Sequence, residues 1–473
     1  MTATTSTSRI DASCRLPLFV LFGGAAVWLA LGSVFGLIAS LTFHNPSMFA
    51  DCAPLSYGRA LAAWQTLLVY GFCIPSGLGV GLWLFARLGR IGVAKPWLLV
   101  VGAKLWHLGV LVGLVAILVG QGTGYEWFAM PYYAAAILFL GYLLLAVWTF
   151  VTYTQRSEPG LYPSQWFFLA ALFWFPWIFS TALLLLHYFP VRGMVQASIA
   201  WWFSGNLLNV WLTLAGLAST FYIIPKLTDR PLQSRYLALF VFFTLLLFGT
   251  WTGIPASAPL PAWMPALSSG AGLMLLVPIA AVVVMMVQTC RGANVPSAGG
   301  PLCFTKFGVL SLVVATVLFA AGACPEVARI TDFTWFGRGE NVLRLHGFFM
   351  MTMLGAAYYI LPRVAGIEIS RARIRVNFWL GVIGTVVFSL PLVLGGLRQG
   401  FALADATVPF LDTAKAAIMY FRLSTLGETC LLVGNFLFLF NVGAVVIHYY
   451  RLVCKSVYVE ATTLELEPAE VKA

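Results

Sequence analysis

Charge is what this sequence has least of. Only 9% of its 473 residues are Asp, Glu, Lys or Arg, against roughly 25% in a soluble domain. So few charges cannot cover a water-facing surface, so most of the surface must face lipid. Histidine is scarce too. There are five in the chain, and no two stand at a ligand-like i, i+2 or i, i+4 spacing, which is few for a redox protein. The eight cysteines form no CxxC pair. The absence of CxxCH excludes a covalently attached c-type haem, and no zinc spacing is present. They read as scattered core and loop residues. No small-residue cleavage site follows the first apolar run, so the polar, Ser/Thr-rich stretch Met1 to Arg15 reads as a cytosolic tail rather than a signal peptide.

What the chain has is apolar length: 61% of its residues are hydrophobic. A membrane span needs about 20 apolar residues. Twelve runs qualify: 17–43, 58–86, 97–120, 131–154, 165–189, 198–225, 236–257, 265–289, 304–323, 343–362, 375–398 and 424–450. The expected fold is an all-α integral membrane protein of twelve transmembrane helices. A tail over 1–16 precedes the membrane domain over 17–450, and a tail over 451–473 follows it. The seventh run ends in Gly253-Ile254-Pro255, so its far end should be broken. The last tail carries Glu460, Glu465, Glu467 and Glu470 and should be solvated.

The net charge of +11 does not indicate nucleic acid, because the basic residues sit in short gaps between apolar runs. Of 27 Lys and Arg, 18 fall in the alternate gaps that include the N-terminus. Eight fall on the opposite side, and Lys104 lies inside a span. Positive residues stay on the cytoplasmic side, so both termini are expected in the cytoplasm and the chain in the inner membrane.

Polar groups inside a membrane are costly, so each is a functional candidate. Lys104 and His107 stand one turn apart on the third run, Glu428 begins the twelfth, and His346 lies near the start of the tenth. Lys104, His107 and Glu428 could form a proton or ion path. Alternatively, the first two are a polar pair satisfied by neighbouring helices. His187 and His448 lie near span ends, where packing accounts for them, and His44 is in a loop. The pairs Gly32/Gly36 and Gly109/Gly113 indicate close helix packing.

Several local stretches, in order along nearly the whole chain, resemble subunit I of the haem–copper oxidases, most closely the C-type (cbb-type) branch and its nitric oxide reductase relatives. They are Tyr57-Gly58-Arg59, Trp166-Phe167-Phe168, Trp202-Phe203-Ser204-Gly205-Asn206, and Phe221-Tyr222-Ile223-Ile224-Pro225-Lys226 followed by Asp229-Arg230-Pro231. Trp251-Thr252-Gly253, Leu260-Pro261-Ala262-Trp263 and Tyr358-Tyr359-Ile360-Leu361-Pro362-Arg363 complete the set. The resemblance implies a twelve-helix bundle with two haems and one copper. It also implies where their histidines would stand, and these places hold other residues. The second-span haem ligand falls on Trp64. The sixth-span copper ligand falls on Gly205, and the seventh-span pair on Ala256 and Ser257. The cross-linked tyrosine falls on Gly249. The tenth-span pair falls on Glu340 and Val342 in an ungapped count. A small gap instead sets His346 at the low-spin place and Arg344 at the high-spin one.

The resulting reading is a non-catalytic paralogue, a scaffold or subunit in a respiratory electron-transfer assembly. It has no catalytic residue, no metal and no haem, and its partners are membrane lipid and a cytochrome c subunit or another oxidase subunit. Two alternatives stand beside it: a proton or ion conduit through the emptied core, and a redox subunit keeping one b-type haem on His346. Further expectations are that Trp64, Gly205, Gly249, Ala256, Val342 and His346 line the former site, and that Pro225 and Pro362 end their spans.

Overall fold

The computed structural model describes residues 3–293 and 300–466. Among them there are helices and no strands. The long helices are α1 (Ala3–His44), α2 (Tyr57–Gly89), α3 (Pro96–Val119), α4 (Tyr132–Thr154), α5 (Pro163–Tyr188) and α6 (Met194–Thr228). After them come α7 (Arg235–Gly249), α8 (Trp263–Cys290), α9 (Pro301–Ala323), α10 (Trp335–Ala365), α11 (Arg371–Ala404) and α12 (Phe410–Leu466). A hydrocarbon layer can hold only such elements, because every backbone polar group must be satisfied within its own segment.

Eleven of these helices are long and apolar enough to cross a membrane. The exception is α7. Its 15 residues span about 22 Å, less than the ~30 Å of a bilayer core. The run expected over 236–257 therefore stops early. Gly253, at φ 118, turns the chain where a helix would have to continue. Arg235 of α7 donates to Leu161 O at one end of the bundle (2.9 Å). At the other end, the chain just past α7 reaches Asn206 on α6, which donates to Thr250 O (3.3 Å).

The inner helices α2 and α6 are buried all round, and α10 nearly so. The outer helices bury one face and expose the other. On α3 the outward side carries Val101, Leu108, Leu111, Val115 and Val119, an apolar surface suited to lipid. The glycine pairs act as spacers. A Cβ on Gly36 would lie 2.7 Å from the Trp64 indole, and one on Gly109 would lie 2.9 Å from Leu138.

Three boundaries differ from expectation. The segment expected as an N-terminal tail is the start of α1. Asp11 there accepts from Trp83 (3.0 Å) and pairs with Arg87 (3.3 Å), and Arg15 donates to Val364 O (2.8 Å). Pro225 and Pro362 lie inside the last turns of α6 and α10 rather than at their ends. A proline removes one donor but leaves its own carbonyl free, and Asp229 N and Gly366 N close the final turn on Pro225 O and Pro362 O. Both capping residues are left-handed, at φ 51 and φ 70. Lastly, α12 runs on as helix to Leu466, into the segment expected as a C-terminal tail. Glu467 and Glu470 lie outside the described residues.

Candidate functional site

Three of the inner helices depart from regular α geometry. Wide π-type turns occupy Leu67–Cys73 in α2, Asn206–Trp211 in α6 and Leu343–Met350 in α10. Such turns re-aim side chains and are frequent at functional positions. Trp64 and Gly205 lie just before two of them, and His346 lies inside the third. No residue type in the sequence announces these turns.

The expected site residues divide into two groups. In the first, the Trp64 and His346 rings face each other nearly parallel, 17° apart in plane with centroids 6.1 Å apart. Phe388 packs on His346 at 5.9 Å. His346 is 3% exposed, and both ring nitrogens lack a hydrogen-bond partner. His346 and Arg344, the pair of the gapped reading, are both buried in α10. Glu340 lies one turn earlier and serves another purpose. Arg344 Nε and Nη2 both donate to Glu340 Oε1 (3.0 and 2.7 Å), with the two residues 2% and 5% exposed. A guanidinium at this depth needs a counter-charge, and Glu340 supplies it. Val342 is buried beside them in the apolar core.

The second group borders a cavity of about 700 Å³ at the end of the bundle away from both chain termini. Gly205, Ala256 and Glu340 line it, together with Glu126, Arg338 and Asp332. Ser257 joins through Asp332, which accepts from its amide (3.1 Å) and hydroxyl (2.6 Å). Gly249 lies behind the wall, where its Cβ would meet Val210 at 2.9 Å. The six residues expected around one site therefore do not share one space. Glu126, from the loop between α3 and α4, stands on the cavity wall with its side chain accessible. The protein packed around its carboxyl raises the pKa, and the Arg338 guanidinium partly lowers it. Neither Glu126 nor Arg338 stands out in the sequence, because a charged residue near a span end is ordinarily solvated.

The third set, Lys104, His107 and Glu428, is not brought together. Lys104 is exposed on α3. His107 Nδ1 accepts from Trp28 (3.1 Å), and its Nε2 lies 3.1 Å from Val20 O, so it is satisfied against α1. Glu428 sits against a different stretch of α1, in a small cavity with Ala39 and Ser40, about 20 Å further along that helix. His44 bonds to Thr425 (3.0 Å), His187 packs against Tyr125 and Phe128, and His448 is exposed.

The all-helical membrane bundle has the fold of a haem–copper terminal oxidase. A solved haem–copper terminal oxidase dimer superposes with a TM-score of 0.73 at 13% identity, over 91% of this chain and 84% of that one. The cbb3-type cytochrome c oxidase subunit CcoN1 of Stutzerimonas stutzeri is 23% identical over 441 residues, covering 88% of this chain and 91% of the relative. A cytochrome c oxidase subunit 1 homolog of Azorhizobium caulinodans is 23% identical over 459 residues, covering 88% and 79%. Residues 17–430 match the family described as Cytochrome C and Quinol oxidase polypeptide I, and the chain belongs to that family.

Family membership implies haem and copper, and the residues present can be tested against both. Copper does not fit. Gly205, Ala256 and Ser257 offer no imidazole, and Gly205 has no room for a side chain: its Cβ would lie 2.4 Å from Thr252 O and 2.7 Å from Gly253 Cα. The backbones of α6 and the turn after α7 touch where a ligand would stand. A bis-imidazole haem does not fit either. His346 has free nitrogens, but the facing Trp64 has no lone pair for iron. The two rings also face each other nearly parallel with centroids 6.1 Å apart, so the indole takes the place where a second imidazole would stand.

Proposed function

We propose that this chain is a non-catalytic member of the subunit I family, a membrane subunit that takes part in a respiratory assembly without a haem–copper centre of its own. The observation that carries this reading is the direct backbone contact of Gly205 with Thr252 and Gly253. A lost histidine alone leaves an empty socket, whereas this contact closes the socket. Electron transfer to dioxygen at a binuclear centre needs metals gripped in fixed directions by imidazoles, and Gly205, Ala256 and Ser257 supply none. The carbon, oxygen and nitrogen chemistry of the remaining polar residues supports binding and packing roles.

The fold supplies a large, rigid partner surface. Its natural associates are a cytochrome c subunit or another oxidase subunit, within lipid of the inner membrane. Twelve crossings with both termini in the cytoplasm accord with the 18-to-8 partition of Lys and Arg, with α7 as the short crossing. The conduit reading finds less support, because Lys104, His107 and Glu428 occupy separate places.

The test is an absorption spectrum with iron and copper analysis of full-length protein purified from haem-replete membranes. The expected result is no stoichiometric copper and no split low-spin haem bands. Stoichiometric copper overturns the proposal. Low-spin bands that vanish in His346→Ala would instead establish a single-haem subunit.

A further inference from the structure

Two charged groups on the wall of the 700 Å³ cavity, Glu126 and Arg338, make no side-chain hydrogen bond or ion pair among the described residues. The other charges there are engaged. Asp332 accepts two hydrogen bonds from Ser257, and Glu340 is paired with Arg344. Among the described residues, the side chains of Glu126 and Arg338 form no hydrogen bond and no ion pair. They do feel each other, since Arg338 lowers the Glu126 pKa that the surrounding protein raises; on its other side Arg338 lines a small cavity with Glu428. They are thus near but not touching, one positive and one negative, on the wall of one cavity.

Both groups are held in place. The Arg338 guanidinium lies over the faces of Trp64 and Trp335, at 5.1 and 5.5 Å from the ring centroids. Stacking fixes the plane of a guanidinium and leaves its in-plane N–H fork for a ligand, a fork that matches a carboxylate in bidentate fashion. Glu126 precedes Trp127, which is left-handed at φ 61. Tyr70 Oη donates to Trp127 O (2.7 Å), and Thr123 N and Oγ1 donate to Ala129 O and Phe128 O (2.7 and 2.8 Å). Across the cavity Phe333 is also left-handed, at φ 60. Non-glycine residues in this region cost on the order of 1–3 kcal/mol and cluster where a binding site is preorganised. Trp201 and Phe319 also line the cavity.

We propose that the cavity binds a small zwitterion, with Glu126 receiving an ammonium group and Arg338 a carboxylate. Charge complementarity selects this class. A free phosphate would meet the Glu126 carboxylate, and a divalent cation would meet the Arg338 guanidinium, so each would carry one repulsion with its one attraction. A molecule with both charges satisfies both groups, and the aromatic walls suit an apolar body. The volume lies within the 300–1,000 Å³ typical of small-molecule sites.

The test uses full-length protein in detergent, with thermal unfolding and intrinsic tryptophan fluorescence as readouts. The probes are L-phenylalanine and glycine betaine. Controls are L-phenylalaninamide, which lacks the carboxylate, and N-acetyl-L-phenylalanine, which lacks the ammonium. At least one zwitterion should give a saturable shift, with the matching single-charge analogue about tenfold weaker or more. Arg338→Gln should weaken L-phenylalanine to the level of the amide while leaving the amide unchanged. Glu126→Gln should do the same with respect to the acetylated analogue. Arg338→Lys keeps the charge and serves if Arg338→Gln does not fold. Absence of any saturable zwitterion shift overturns the proposal, as does zwitterion binding that both variants leave unchanged, or a shift produced only by inorganic phosphate or magnesium. Metal analysis of the same preparation reports separately on the non-catalytic reading, so the two can fail independently.

Discussion

At the residue scale, three of the places expected to hold ligands carry three different physical solutions. Gly205 is closed in by backbone contact, Trp64 packs its indole on His346, and Arg344 is a guanidinium paired with Glu340. Each makes a different prediction. In Gly205→Ala the new Cβ would sit 2.4 Å from Thr252 O. Neither neighbour is a flexible side-chain end, so the backbone must shift. Overpacking of this kind costs about 1–3 kcal/mol, and the thermal midpoint of purified protein should drop accordingly. His346 behaves in the opposite way. It is buried with two unpartnered nitrogens, and a buried polar group without hydrogen bonds costs free energy. His346→Leu should therefore be neutral or stabilising by about 1 kcal/mol in a reversible unfolding measurement. A marked loss of stability would mean that water or a cofactor engages the ring.

At the element scale, α10 carries the most consequential change. Within one turn it holds Glu340 and Arg344 as a buried ion pair, and the next turn holds His346. Removing one member of a buried pair strands the other charge, at a cost of about 3–5 kcal/mol. Glu340→Gln should therefore destabilise strongly. The double substitution Glu340→Leu with Arg344→Met removes both charges and should recover most of the loss, because well-packed apolar residues can replace a buried pair at little cost. Expression level and thermal midpoint of the single and double variants make the comparison. A double variant no better than Glu340→Gln would show that the pair does more than neutralise itself.

At the scale of the whole molecule, the bundle carries a polar cavity of about 700 Å³ at the end away from the termini. The distribution of Lys and Arg predicts that the termini face the cytoplasm. Reporter fusions at residues 5, 230 and 465 should all give a cytoplasmic signal, and a fusion at residue 410 should give the opposite one. A periplasmic signal at 465 would mean an odd number of crossings, with α7 failing to traverse. The length of α12, 57 residues or about 85 Å, far exceeds a bilayer core. Its ends must leave the membrane whichever way the chain is oriented.

The sequence by itself determined that the protein is helical, membrane-embedded and built on the subunit I plan. Hydrophobic length and the spacing of basic residues are properties of the chain read locally, and lipid enforces them segment by segment. The spacer role of Gly36 and Gly109 was legible for the same reason: a small residue at helical spacing has few other uses. Only the tertiary structure decided that α7 stops at Gly249, that Pro225 and Pro362 sit inside their last turns, and that the expected site divides into two. It also set Trp64 against His346, a contact between residues 282 positions apart in the chain. Glu126 and Arg338 lie 212 positions apart in the chain. Their meeting on one cavity wall depends on how α2, α10 and the loop before α4 pack, which no local pattern encodes.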